Sequence, residues 1–422
     1  MKHVNKKLTE LSTEMLYFKN PELARLYHVT LRTVLNWIEA AKQGKLDLTL
    51  HTEKGRSYIA NTTKNTTTIK RLVEERKKYR NSRAVKVVTP RPEFYKLYNQ
   101  AQIYEIVTNL NVHKEVPRQF NYFDGGAHNW DEYVRRLESE EGPNQLKSTI
   151  QLFIENRGYI DSVLFAKYKR INVVDIGVGN ALPVREFLSH LLGQQKLGRY
   201  IALDISAEML EIARANIEKW FEGKVEFEGY ELDINYDRFA NILATESLGG
   251  DAKDTLNLML FLGGTPYNFR DPDGAFRIIR DSMDRNDLLI YTDKLDSEAS
   301  RRYFDFNNEP GKTRLAPNHR FIFNLLNIDE SFYDVEMGYD EYIHQRYIRV
   351  RLKVSLNIKF KFDMGERILE LNKGEAILLW RFWQQSALDL ERRFDKNGFY
   401  TLHSSQTADR QYIMTISQVK CE

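Results

Sequence analysis

Two acids end two apolar runs in the middle of this sequence, and two glycines lie between them. Val173 and Val174 precede Asp175, Gly177 and Gly179 follow, and a second apolar run ends at Asp204. Glycines after a strand let the backbone approach a ligand closely, and an acid at the end of the next strand can accept both hydroxyls of a ribose. The stretch 171–206 therefore predicts a strand, a glycine loop, a helix and a second strand that together bind a nucleotide.

The glycine loop separates two classes of cofactor. A dinucleotide site needs a third glycine three residues after Gly179, where this chain has Leu182 followed by Pro183. The order D-x-G-x-G with an acid ending the next strand resembles instead the first two motifs of S-adenosylmethionine (SAM) dependent methyltransferases. A glycine turn in a structural α/β domain is the alternative at this point, because such short motifs also occur without a ligand.

Later apolar runs extend the same pattern. Asp233 ends a third predicted strand, and in methyltransferases an acid at this point lies near the adenine amino group. A fourth run, 256–262, leads into Gly263 and the sequence GGTPYNF, and a fifth covers 287–291. Buried parallel strands deliver such loops to the carboxyl edge of the sheet, where ligands bind. We therefore predict an α/β fold with Gly263 beside the cofactor.

Length and composition set limits on the class of protein. The 422 residues are 42% apolar and 29% charged, which predicts two or three globular domains. The longest apolar runs are too short to cross a membrane, and the start MKHVNKKLTE lacks the apolar segment of a signal peptide. The single cysteine, Cys421, excludes an internal disulfide and a multi-cysteine metal site. These features predict a cytoplasmic protein without a metal centre or a membrane partner.

The positive charge is concentrated at the N-terminus. Residues 1–92 contain 20 Lys and Arg against 8 Asp and Glu, although the whole chain has a net charge of only +3. Two helical patterns in 21–41, followed by two short strands in 48–60, resemble the winged helix-turn-helix of excisionase and MerR-type DNA-binding proteins. On that resemblance the DNA contacts are Arg32, Thr33, Asn36, Lys54 and Arg56. A protein-contact module is the alternative, and a charged helix after it makes a homodimer possible.

The remaining segments complete the predicted domain organisation. We expect a domain boundary near residue 90, a helical cap over 91–170 and the methyltransferase domain over 171–422. Within that domain, the strict alternation of 347–362 predicts a half-buried strand or hairpin with a basic outer face. It belongs to a small β-rich subdomain near 312–372. A long amphipathic helix over 374–397 and a closing hairpin follow.

Four segments identify a family for the C-terminal part. YIALDISAEML (200–210), LFLGGTPYNF (260–269), LLIYTDKLDSEASRRYFDF (288–306) and GERILEL (365–371) resemble the histidine-specific SAM-dependent methyltransferases, which methylate the α-amino group of histidine. The resemblance implies a class I SAM-methyltransferase fold, a Rossmann-like sheet with a β-rich substrate subdomain. It also implies that Asn268 and Tyr303 hold the α-amino and carboxylate groups and that Glu370 and Asn372 face the acceptor side chain. Asn372 stands where the family has serine, and Tyr267 where it has glycine.

Three functions are compatible with these patterns. The first is an N-methyltransferase for an amino acid or related small amine, carrying a DNA-binding domain. The second is a transcriptional regulator that uses the methyltransferase fold as a sensor of SAM or an amine. The third is a nucleic-acid methyltransferase, although the loop after the fourth strand lacks the paired prolines that such enzymes use around a flipped base.

Overall fold

The computed structural model describes residues 16–83, 85–123, 125–247, 254–263, 265–297 and 314–420. The chain forms two compact units, Met1–Val85 and Lys86–Glu422. No helix in these described ranges is long and apolar enough to span a lipid bilayer. Each unit has its own apolar core and is described separately.

The N-terminal unit contains helices and a small antiparallel sheet in the predicted order. Thr30 begins the second helix by accepting a hydrogen bond from the backbone N–H of Thr33 at 3.3 Å, which satisfies one of the unpaired donors of the first turn. Leu23, Val34 and Ile59 are fully buried between the helices and the sheet. The elements are β1 (Tyr17–Phe18), α1 (Asn20–Leu26), α2 (Leu31–Lys42), β2 (Leu50–Glu53), β3 (Arg56–Ala60) and α3 (Thr63–Arg83), with sheet order β1-β3-β2.

The predicted DNA contacts of this unit differ in their exposure. Arg32 and Asn36 are exposed on α2, and Lys54 and Arg56 are exposed at the turn between β2 and β3. Thr33 is 4% exposed and its hydroxyl lies 2.9 Å from that of Thr30. The prediction that Thr33 faces a DNA groove is therefore wrong, because this side chain is buried and contacts Thr30 at the start of its own helix.

The second unit contains a seven-stranded sheet, flanking helices and a β-rich insertion. Its helices are α4 (Pro92–Leu97), α5 (Gln100–Thr108), α6 (Gly125–Ser139), α7 (Gln145–Glu155), α8 (Arg185–Gly193), α9 (Ala207–Phe221), α10 (Ala240–Ser247), α11 (Pro272–Ser282), α12 (Pro317–Leu325) and α13 (Ala387–Lys396). Its strands are β4 (Lys86–Val88), β5 (Arg170–Ile176), β6 (Leu197–Asp204), β7 (Phe227–Glu231), β8 (Thr255–Phe261), β9 (Leu288–Lys294), β10 (Tyr333–Asp340), β11 (Gln345–Leu352), β12 (Leu356–Phe362), β13 (Gly365–Leu371), β14 (Ala376–Trp383), β15 (Phe399–Gln406) and β16 (Tyr412–Val419).

The large sheet has the order β15-β16-β9-β8-β5-β6-β7. Strands β5 to β9 run parallel, and β16 is antiparallel to both β9 and β15. The chain leaves β5 toward β6 and β7 on one side and returns to β8 on the other. This reversal opens a crevice at the carboxyl ends of β5 and β8, the usual ligand site of open α/β sheets. The order is that of a class I SAM methyltransferase, so the predicted Rossmann-like fold is confirmed.

The β-rich insertion lies between β9 and α13 and, together with β4 from the start of the unit, forms two three-stranded sheets. Their orders are β10-β11-β14 and β13-β12-β4, with β4 parallel to β12. The even-numbered apolar side chains of 347–362 are buried except for Val354, which is partly buried, so the predicted alternation holds. The segment is nevertheless neither one strand nor a hairpin, because it breaks at Lys353–Ser355 and its halves enter different sheets.

The predicted helix over 374–397 is wrong in its first half. Ala376–Trp383 forms strand β14, which pairs with β11, and only Ala387–Lys396 is helical. The sequence AILLWRFW is apolar at almost every position, so helical and strand periodicities cannot be separated within it. Pairing with β11, which the local sequence does not show, decides between them.

The segment predicted as a helical cap divides between two cores. Phe94, Ile106 and Phe120 pack with the β-rich insertion, whereas Leu152 and Phe153 of α7 pack against the large sheet. Helices α4 and α5 thus belong to the core of the insertion, and α7 belongs to the core of the large sheet. The result is that residues far apart in sequence, 86–123 and 314–384, form one subdomain beside the carboxyl edge of the sheet.

Candidate active site

A cavity with about 700 Å³ of empty space lies at the carboxyl ends of β5, β6 and β7. We distinguish two groups of lining residues. The sheet wall comes from the strand ends and consists chiefly of Ile176, Gly177, Gly179, Leu203, Asp204, Ile205, Met209, Leu232, Asp233, Ile234 and Asn235. The loop wall comes from 118–130 and 265–269 and consists of Arg118, Gln119, Tyr122, Trp130, Thr265, Asn268 and Phe269.

The glycine loop forms the centre of the sheet wall. Gly177 and Gly179 have φ values of +70° and +54°, which side chains with a Cβ rarely adopt. A Cβ on Gly179 would lie 3.3 Å from Trp130 Nε1, so a side chain at this position would also crowd the Trp130 ring. Asn180 fixes the loop against α6 by donating to Asp131 Oδ1 at 2.8 Å. Backbone is therefore presented directly to the cavity, as the sequence pattern predicts.

Asp175 lies beneath this loop and does not line the cavity. Its carboxylate is 3% exposed and accepts a hydrogen bond from the Tyr200 hydroxyl at 2.9 Å. Burial raises the pKa of Asp175 to about 7, and the Tyr200 hydrogen bond opposes that shift. The structure thus places this predicted cofactor residue under the loop, where it supports β5 rather than facing a ligand.

Asp204 ends β6 and faces the cavity. Its carboxylate accepts hydrogen bonds from the backbone N–H of Ser206 at 3.1 Å and of Gly179 at 3.4 Å. These bonds fix the side chain between the glycine loop and the start of α9. Burial raises the pKa of Asp204 to about 6, so at neutral pH the group is mostly ionised and able to accept two ribose hydroxyls.

Asp233 lies further along the same wall. One carboxylate oxygen accepts from the backbone N–H and the side-chain amide of Asn235 at 2.9 and 2.7 Å. Leu232 and Ile234 flank it and supply apolar surface for a flat ring. Burial raises the pKa of Asp233. An acceptor beside an apolar slot matches an adenine with its exocyclic amino group.

The loop after β8 brings Asn268 into the cavity. It forms a short 3₁₀ turn, Thr265–Asn268, and the carbonyl of Phe269 accepts from Trp383 Nε1 of β14 at 3.1 Å. Asn268 Oδ1 is buried and finds no hydrogen-bond partner among the described residues. Because a buried amide oxygen without a partner costs free energy, this atom is positioned for a donor on a ligand.

Other predicted site residues are not brought to this cavity. Gly263 lies beside it, with its N–H 3.3 Å from Thr292 Oγ1 and its carbonyl bonded to Gln145, and does not line it. Glu370 is exposed on β13, and Asn372 is exposed and bonded through its backbone N–H to Glu375 at 2.9 Å. Neither joins Asn268 in the cavity. Tyr303 lies outside the described residues.

The segment 118–130 supplies lining residues that the sequence does not identify as site residues: Arg118, Gln119, Tyr122 and Trp130. They belong to a 3₁₀ turn, Arg118–Tyr122, and the start of α6. Gln119 donates to Glu105 Oε1 of α5 at 3.0 Å, and Tyr122 packs edge-on against Trp130 with ring centroids 5.6 Å apart. The aromatic residues around Tyr122 are compatible with a ligand site, but the sequence does not show that 118–130 contributes to the cavity at the sheet edge.

The residues of the sheet wall fit SAM. Asp204 suits the ribose, and Asp233 and Ile234 suit the adenine. Thr265 lines the cavity next to the loop, with side-chain atoms 3.6 Å from a Cβ built on Gly177. Among the described residues no group of three or more His, Cys, Asp and Glu side chains could hold a metal ion.

Several solved methyltransferase structures are similar to this chain at low sequence identity. A SAM-dependent methyltransferase from Clostridium acetobutylicum is 12% identical, covers 70% of this chain and 98% of its own, and superposes with a TM-score of 0.39. The methyltransferase CcbJ from Streptomyces caelestis is 12% identical over 70% and 96%, with a TM-score of 0.37. Magnesium protoporphyrin IX methyltransferase from Synechocystis is 12% identical over 72% and 98%, with a TM-score of 0.36. No curated protein sequence matches the chain.

A family model covers most of the second unit. It describes a histidine-specific, SAM-dependent methyltransferase and matches residues 103–419, well over half of the chain. The match includes both walls of the cavity and the β-rich insertion. It agrees with the strand order of the large sheet and with the fit of the sheet wall to SAM. The chain therefore belongs to the family of histidine-specific, SAM-dependent methyltransferases.

Proposed function

We propose that this methyltransferase acts on the amino group of an amino acid or a related small amine. The observation that carries the proposal is Asn268 Oδ1, a buried acceptor without a partner among the described residues, in the same cavity as the glycine loop. An amine N–H is the complementary donor. The membership of the family supports an amino acid as the acceptor class.

The chain's own residues mainly orient the reactants. SAM supplies a methyl group that is already activated by its sulfonium charge. Asn268 would accept one amine N–H and so orient the acceptor nitrogen, and Asp204 and Asp233 would hold the nucleoside of the cofactor. Holding two reactants in line converts a bimolecular step into a nearly unimolecular one. Tyr122 and Trp130 supply aromatic lining beside the glycine loop.

A screen of methyl acceptors tests the proposal. Purified protein is first titrated with SAM by calorimetry and then incubated with SAM and each of the standard L-amino acids, with mass spectrometry of the products. We expect SAM binding and the mass gain of one or more methyl groups on at least one amino acid. SAM binding without methylation of any amine would favour the sensor function, and methylation of DNA or tRNA alone would favour the nucleic-acid enzyme.

We infer that the N-terminal unit binds DNA. The support is the basic excess of residues 1–92 and four exposed side chains, Arg32 and Asn36 on α2 and Lys54 and Arg56 at the β2–β3 turn. Lys54 and Gly55 have φ values of +47° and +74°, the tight turn that a β-wing needs. A helix with a neighbouring basic wing matches groove contact flanked by phosphate contacts.

A salt titration of binding to random duplex DNA tests this second proposal. We expect the affinity to fall steeply with salt and the double variant Lys54→Ala/Arg56→Ala to bind more weakly with a shallower salt dependence. Lys64→Ala is the matched control, because Lys64 belongs to α3, outside α2 and the β2–β3 turn, and pairs with Asp47 at 2.7 Å. No binding at low salt would assign the unit to protein contacts.

A further inference from the structure

Arg118 is a nearly buried cation in the loop wall of the cavity. Arg118 is only 6% exposed, and it lines the cavity together with Asn268. Its Nε donates to the Tyr122 hydroxyl at 3.1 Å, and the guanidinium carbon lies 5.1 Å from the centre of the Tyr122 ring. The contact with Tyr122 thus fixes one side of the guanidinium, and the Arg118 side chain remains part of the cavity lining.

The other partner of Arg118 is His319 of α12. Arg118 Nη1 lies 3.1 Å from His319 Nδ1, and because a guanidinium can only donate, His319 Nδ1 must accept. Burial, followed by the positive charge of Arg118, holds the pKa of His319 well below its usual range. His319 is therefore neutral at physiological pH, and it orients Arg118 without compensating its charge.

No carboxylate of the described residues lies within ion-pair distance of Arg118. Arg381, another strongly buried arginine, pairs instead with the carboxylate of Glu115. A buried charge is stable only when it is paired or hydrogen-bonded, and here two neutral groups supply the bonds but no negative charge. An unpaired guanidinium that faces a ligand cavity fits a carboxylate, which it can bind with two parallel hydrogen bonds.

We propose that Arg118 binds the carboxylate of the methyl acceptor and selects acceptors that carry one. The inference deepens the proposed function and rests on it. Arg118 and His319 both belong to the subdomain formed by the β-rich insertion and its preceding helices, whereas the nucleoside positions belong to strand ends of the large sheet. Asn268 at the amine and Arg118 at the carboxylate together recognise both charged groups of an α-amino acid.

The carboxylate of the methionyl part of SAM has the same chemistry, and the experiment separates the two sources. For acceptor recognition, methylation of the best L-amino acid from the screen is compared with methylation of its amide, in which the carboxylate is neutral. For cofactor recognition, binding of S-adenosylhomocysteine is compared with binding of 5′-methylthioadenosine, which lacks the carboxylate. Both comparisons use the full chain and the variants Arg118→Met, Arg118→Lys and Arg270→Met.

We expect Arg118→Met to raise KM for the acid about 30- to 100-fold, to leave KM for the amide within about 3-fold, and so to abolish discrimination between them. Arg118→Lys restores part of the preference, because it keeps the charge and loses the fork. Arg270→Met keeps the full preference, since Arg270 is exposed, bonds to Asn109 at 3.0 Å and does not line the cavity. Unchanged S-adenosylhomocysteine affinity in Arg118→Met shows that the fold and cofactor site are intact.

Three outcomes overturn the inference in distinguishable ways. An acid-to-amide preference that survives Arg118→Met removes Arg118 from acceptor recognition. Loss of S-adenosylhomocysteine affinity by more than about tenfold, with 5′-methylthioadenosine binding unchanged, assigns the carboxylate to the cofactor. Methylation of no acceptor by the wild-type protein rejects the proposed function itself, and the inference with it.

Discussion

The sheet wall of the cavity comes from one continuous stretch of chain, residues 176–235, whereas the loop wall comes from two segments separated by more than a hundred residues. In the sheet wall, Gly179, Asp204 and Asp233 follow successive parallel strands, so strand order alone brings them together. In the loop wall, Arg118 and Asn268 come from separate parts of the chain, and the segment that carries Arg118 packs with the insertion that follows β9. The proposed cofactor residues thus follow one another along the sheet, whereas the proposed acceptor residues come together only in the folded chain.

The largest effect is expected in the sheet wall. Asp204→Ala removes a carboxylate placed for two ribose hydroxyls, and each charged hydrogen bond contributes about 1.5–3 kcal/mol, so SAM affinity should fall at least about 100-fold. Calorimetric titration measures the change. Asp161→Ala is a control, because Asp161 bonds to His190 outside the cavity at 2.8 Å. Retained SAM affinity in Asp204→Ala would show that the ribose is held elsewhere.

In the loop wall we expect a substitution to lower activity toward the acceptor and to leave SAM affinity nearly unchanged. Asn268→Ala removes the acceptor for the amine, so kcat/KM for the acceptor should fall about 100-fold through lost orientation while the SAM dissociation constant stays within about 3-fold. Steady-state kinetics with calorimetry separates the two quantities. Asn268→Asp, which keeps an oxygen acceptor, should retain more activity than Asn268→Ala. Equal losses of SAM affinity and activity in Asn268→Ala would contradict the assignment of SAM to the sheet wall and of the acceptor to the loop wall.

The pH dependence of SAM binding sharpens the same distinction. The pKa of Asp204 is about 6, and the ribose hydroxyls need the ionised carboxylate as acceptor. SAM affinity should be nearly constant above pH 7 and fall by up to about tenfold for each pH unit below 6, as the carboxylate takes up a proton. Calorimetry from pH 5 to 8 measures this. Asp204→Asn should bind weakly at all pH values, and a wild-type affinity independent of pH would contradict the assignment.

The same contrast explains which residues could be predicted from the sequence. Gly177, Gly179, Asp204 and Asp233 follow from strand-end positions, and all four line the cavity. Arg118 could not be predicted, because its role depends on His319, about two hundred residues later, and on a fold-back of the turn that contains it. The strand at Ala376–Trp383 was missed for the same reason, since its partner β11 and not its own periodicity determines its conformation.

The smallest expected effect concerns Asp175, which lies under the sheet wall without lining it. Its pKa is about 7 in the folded chain and near 4 when unfolded, so the native state binds more protons and loses stability as pH rises between these values. Asp175→Asn removes this cost while leaving an oxygen for the Tyr200 hydroxyl. It should stabilise the protein on the order of 2 kcal/mol at pH 8 and hardly at all at pH 4.

Tyr200→Phe provides the matched opposite change. It removes the 2.9 Å hydrogen bond to Asp175 and leaves the buried carboxylate without that donor, so it should destabilise the protein at pH 8 by about 1–3 kcal/mol. Urea unfolding of both variants at the two pH values measures the free energies. In Asp175→Asn, SAM affinity should change little, because the support of β5 is retained. A loss of SAM affinity comparable to that of Asp204→Ala would place Asp175 in direct contact with the cofactor and extend the sheet wall beneath the glycine loop.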